Sequence, residues 1–171
     1  MTTLTESLAA IFGRELTTIR LEIEAYPSEA DLWRTAPGIS NSGGTLALHL
    51  AGNLQHFIGA VLGKSGYVRN RDAEFGSREV PRAELLREVD AAIVSVTGTL
   101  RTLDAARLDQ AYPLAVAGVR VNTGDFLLHL ACHMNYHLGQ LDYHRRMVTG
   151  GAPLSGALSP TRLASAQPEG A

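Results

Sequence analysis

His129, His133 and His137 follow one another at four-residue intervals in the run LLHLACHMNYHLGQLDYH. On a helix each such step turns about 40° past a full circle and rises about 6 Å, so neighbouring pairs stack on one face. Two neutral imidazoles placed in that way can share one transition-metal ion. All three cannot easily serve the same ion, because residues 129 and 137 lie about 12 Å apart along a helix axis. The pair is therefore 129/133 or 133/137, and the latter lies nearer the middle of the apolar face. Two ligands are too few for a durable zinc-type site, so another element has to supply a third. Outside this helix the only histidines are His49 and His56, in HLAGNLQH.

The elements that must carry these side chains follow from the apolar period. A first helix reads from about Leu4 to Tyr26 through Leu8, Ile11, Phe12, Leu16, Ile19 and Ile23. A connector, DLWRTAPGISNSGG, holds a Pro37-Gly38 turn and three caps, Ser40, Asn41 or Ser42, for a second helix over roughly Thr45 to Leu62. After the polar loop YVRNRDAEFGSRE, Pro81 suits the first turn of a third helix, about Arg82 to Leu103. Leu114, Val116, Val119 and Val121 flank Ala117-Gly118, which predicts a short β-hairpin. Thr123 is the expected cap of a fourth helix, with Asp125 in its first turn, running to about Val148 before Gly150-Gly151.

Four amphipathic helices predict an all-α fold, an antiparallel up-down-up-down four-helix bundle. Residues 1–150 make its single domain, and 151–171, rich in Gly, Ala, Ser and Pro, are expected to form a flexible tail. In that topology the second and fourth helices run parallel, and axial level does not choose between His49 and His56. Both share a flank with Asn53, beside a stripe of Gly52, Gly59, Ala60 and Gly63 that suits close helix–helix or subunit approach.

With Phe126 at zero on a wheel, the apolar face centres at about 60°, and His137, His144, His133, Gln140 and His129 fall at about 20°, 0°, 340°, 320° and 300°. Five polar side chains on the edge of a core need partners, and a metal is one such partner. Cys132 falls about 100° from His133 and is not expected to be a ligand or nucleophile.

Totals narrow the function classes. The 171 residues, 45% of them hydrophobic, suit one core. Fifteen basic and 17 acidic residues give a net charge of −2 without like-charge blocks, which argues against nucleic acid or an anionic membrane as partner. One cysteine excludes an internal disulfide and a Cys-rich zinc site. The N-terminal run lacks the pattern of a secretory signal and no stretch approaches the length of a bilayer span, so the expected location is cytoplasmic.

The segments LWRTAPGISNSGGTLALHLAGNLQHFIG, RNRDAEF and LLHLACHMNYHLGQLDY together resemble the DinB-like (YfiT-like) superfamily of four-helix-bundle proteins, described as metal-dependent hydrolases. The likeness spans nearly the whole chain apart from the tail, and its most specific pieces are HLAGN and HxxxHLGQ. It implies that His49, His133 and His137 bind a divalent ion, zinc or nickel foremost, and that the protein is a homodimer. It also implies hydrolysis of a small molecule, or S-transfer with a low-molecular-weight thiol such as bacillithiol or mycothiol. A non-catalytic metal-bound dimeric module is the remaining alternative.

Three neutral imidazoles leave an ion with open positions, which is the arrangement of catalytic sites. Hydrolysis also needs a proton-transfer group, for which Asp72, Glu74 and His129 are the candidates. Asn53 and Gln140 are placed to orient ligand rings.

Overall fold

The structure is a computed structural model and describes residues 2–154 and 158–168. Helix α1 spans Leu4–Glu24 and opens on a capping box: the Thr3 hydroxyl accepts from the Glu6 N–H while the Glu6 carboxylate accepts from the Thr3 N–H. A short α2, Glu29–Trp33, lies in the connector. Helix α3, Gly43–Leu54, is capped by Ser42, whose hydroxyl accepts from the Thr45 N–H, and it continues as a π-helical turn over Gln55–Ala60. Another short helix, α4, covers Arg71–Gly76. The long α5 and α6 span Arg82–Thr102 and Thr123–Thr149, and α6 stops at Gly150, which takes a left-handed φ of 70°.

The four long helices surround a common core. Phe12, Leu16 and Ile19 of α1, Leu50, Leu54 and Ile58 along α3, Val96 and Leu100 of α5, and Leu127, Met134 and Leu141 of α6 are all fully buried. Their directions differ from the expected up-down-up-down order. Helices α1 and α5 are antiparallel, since Arg20 pairs with Asp90 at one end while Gly13 meets Thr97 further along. The α3 segment instead runs parallel to α5: Gln55 reaches Glu88, Gly59 meets Ser95 and Gly63 meets Thr99. It runs antiparallel to α6, because Gly43 lies against His144, His49 against His133 and Phe57 against Phe126. The order is thus up-down-down-up. Parallel neighbours need a connection that returns the full length of the bundle, and residues 61–81, with α4, supply it.

The predicted hairpin is a tight reversal with two isolated bridges, Ala111 to Asn122 and Val116 to Val119, and no strand forms among the described residues. Ala117 and Gly118 both take positive φ, 49° and 82°, as a two-residue hairpin turn requires. Asn122, not Thr123, occupies the cap position of α6; Thr123 is buried and its hydroxyl donates to the Gln110 carbonyl. Of the tail expected over 151–171, residues 155–157 and 169–171 lie outside the described residues. Elsewhere in it, the carbonyls of Ala152 and Ser159 accept from Arg145 and Arg14. Among the described residues no helix is long and apolar enough to cross a membrane.

Candidate metal centre

Helix α6 presents His133 and His137 on successive turns, their ring centroids 4.6 Å apart. The antiparallel α3 brings His49 against both, each at a centroid distance of 5.2 Å. One ligand atom from each of the three lies within 4.8 Å of the others, so the cluster could hold a metal ion. The Nε2 atoms of His49 and His133 face each other at 3.4 Å.

Each ring is oriented by what its other nitrogen meets. The Nδ1 of His49 lies 3.0 Å from a Glu74 carboxylate oxygen. A carboxylate accepts only, so Nδ1 carries the proton and the Nε2 lone pair points into the cluster. Glu74 is itself gripped by the Arg69 guanidinium, Nε to Oε1 at 2.6 Å and Nη2 to Oε2 at 2.7 Å. Burial alone would raise the Glu74 pKa, but the bonds from Arg69 and His49 outweigh it and hold the carboxyl below its usual range. The His49 ring also packs against Phe75, 4.8 Å away.

His137 repeats the device with a neutral partner, its Nδ1 lying 2.7 Å from the Gln140 amide oxygen. The Nδ1 of His133 is buried without a partner. Burial first, then the neighbouring His137 and His49, push the His133 pKa down to about 4, and burial lowers that of His137. The His133 ring therefore stays neutral, the form that binds metals, well into mild acid, and burial biases His137 toward the same form.

Glycine makes this approach feasible. A Cβ on Gly52 would collide with the Glu74 carboxylate, so only glycine at that position of α3 admits the α4 side chain to the back of His49.

The other expected residues separate clearly. Glu74 is fully committed to Arg69 and His49, which makes it a positioning group rather than a free base. Asp72 sits on the exposed face of α4. His129 is exposed, stacked 6.3 Å from the His133 ring and 5.9 Å from Phe126. His56 lies two turns further along, against Phe57. Asn53 is buried beside the cluster on α3, its Oδ1 without a partner. Arg69 was missed by sequence reasoning; a lone arginine five residues before a glutamate in a loop carries no signal of its own.

His144, on the same flank of α6, serves a different purpose. Its Nε2 lies 2.8 Å from the Arg34 carbonyl and must donate, so its Nδ1 accepts from the Tyr26 hydroxyl at 2.6 Å. Both nitrogens are spent on the joint between α1, the connector and α6, and burial lowers its pKa.

No curated protein and no solved structure matches the chain. Residues 12–154 match a family described only as "Protein of unknown function (DUF1572)", and because that match spans most of the chain, the protein belongs to this family.

Proposed function

We propose that this protein is a DinB-like hydrolase of a small molecule, dependent on a divalent ion, zinc or nickel foremost, held by His49, His133 and His137. The observation that carries the reading is the convergence of three imidazoles from two helices, two of them with Nδ1 already donating to a side-chain oxygen. Carboxylate–histidine pairs of the Glu74–His49 kind are the usual support of a metal ligand. Three half-buried to buried imidazoles that converge in this way are better explained by a shared ion than by packing.

When bound, such an ion supplies Lewis acidity, which acidifies a water or polarises a carbonyl. The protein's own residues do the rest. Glu74 and Arg69 lock the tautomer and angle of His49, and Gln140 does so for His137. His129, exposed and stacked on His133, is a base at the edge of the site that can move a proton. In the cell this reading places the protein in the cytoplasm as a homodimer.

Elemental analysis of purified protein tests it. The native chain and His56→Ala should each carry close to one ion per chain, and His133→Ala should carry none. Equal content in all three overturns the assignment. A thiol-dependent transferase would use the same ligands, and a screen of ester and amide hydrolysis beside thiol transfer separates the two chemistries.

A further inference from the structure

One turn beyond the histidine cluster lies a cleft of about 500 Å³ with no acidic, lysine or arginine side chain in its lining. Leu46 and His144, both buried, form its floor, and Ile39, Tyr143 and Met147 form an exposed apolar rim. Gln140 belongs to cleft and cluster alike, since its oxygen accepts from His137 while the side chain lines the cleft. Gln140 is three residues past His137 and Leu46 three before His49, so each lies about 4.5 Å along its helix from a cluster histidine.

We infer that this cleft is the substrate pocket, built for a small, uncharged, largely apolar molecule whose carbonyl-type oxygen is held by the Gln140 amide. The inference rests on the metal-site reading for the word substrate, but not for the binding itself. Three features support it. The volume falls in the range of small-ligand sites, and mostly apolar walls with a few placed polar groups, here Ser40, Asn41 and Gln140, are their usual makeup. Gln140, its oxygen engaged by His137, keeps both –NH2 protons to offer a ligand. His144 has no hydrogen-bonding capacity left, because both ring nitrogens are engaged with Tyr26 and Arg34, so it contributes a neutral ring wall. An ionic ligand would lose its hydration in the cleft without gaining a counter-charge. Exposed large apolar groups gathered around a cavity, rather than scattered, are the mark of a binding site.

Benzamide, benzoate and benzamidine share one shape and differ in charge, which makes them the probes. Methyl-labelled methionine gives a reporter in the rim, Met147, and an internal control for the fold in fully buried Met134. In metal-free protein, benzamide should shift the Met147 signal saturably and leave Met134 in place, and both ions should bind at least tenfold more weakly. Leu46→Trp, which fills the floor, and Gln140→Leu, which removes the donor, should each weaken benzamide at least tenfold with Met134 unchanged. In cobalt-loaded protein, bound benzamide should relax faster than in zinc-loaded protein. Tighter binding of either ion, no Met147 shift, or full binding by both variants overturns the pocket. Binding without cobalt-induced relaxation overturns its role as the substrate site. Failure to take up metal, with benzamide still bound, overturns the metal reading and leaves a ligand pocket.

Discussion

At the scale of single residues the cluster depends on what stands behind its ligands. Gly52 is the clearest case, since any side chain there displaces Glu74 and with it the grip on the His49 ring. Gly52→Ala should lower affinity for zinc about 10- to 100-fold, the usual cost of losing a ligand's hydrogen-bonded support. Competition titration against a chromophoric chelator checks this, and unchanged affinity would show that Glu74 does not orient His49. The glycine was visible in the amino-acid sequence as part of a small-residue stripe, yet its partner was not. Whether a glycine faces another helix, a second subunit or a carboxylate depends on a loop whose path has no local period. The same holds for the choice between His49 and His56. Their levels can be compared with His133 only once the relative direction of α3 and α6 is known, and that direction is not written in either helix's own pattern.

Elements show which parts of the architecture local chemistry does encode. The four long helices, the Ser42 cap and the Gly150 stop follow from apolar period and terminal residues, and they lie within a few residues of the expected bounds. The short α2 and α4, with too few residues to show a period, do not. The π-helical turn was equally hidden; it adds a residue to the ladder, and the Phe57 carbonyl within it accepts from the Tyr112 hydroxyl at 2.7 Å. Gly59 near the end of that turn and Gly63 just past it let α5 come close. A Cβ on Gly59 would strike the Ser95 hydroxyl, itself buried without a partner. Gly59→Ala should therefore cost about 1–3 kcal/mol through overpacking. Ser95→Ala should be near neutral, and the double variant should recover most of the loss. Chemical denaturation of all three gives the coupling, and strict additivity would contradict the contact.

For the whole molecule, the burial of imidazoles has a measurable sign. His56, His133, His137 and His144 all have folded-state pKa values below the ordinary one, with burial the largest cause in each. A base whose pKa is depressed by folding binds fewer protons folded than unfolded, so stability is complete above about pH 6.5 and is lost as pH falls. Glu22, whose pKa is raised by burial, opposes this by at most one proton. Metal-free protein should thus lose stability as pH falls from 6.5 to 5.5, with His133, held down to about 4, taking up its proton only on unfolding. Denaturant melts across that range check it, and a flat profile would mean that the rings titrate normally. The cluster, the joint at His144 and the π-helical turn contribute together, so no single substitution should abolish the slope.

The return crossing between α3 and α5 also makes the grip on the histidines separable from the histidines themselves. All three rings sit on α3 and α6, whereas Arg69 and Glu74 arrive on the returning chain. A protease nick at the exposed Val68, which is 86% accessible, would leave the ring-bearing helices whole while untying the strap that steadies one of them. Such a clipped molecule should keep its three nitrogen donors and release its ion faster, so the exchange rate, rather than the donor count, would register the cut.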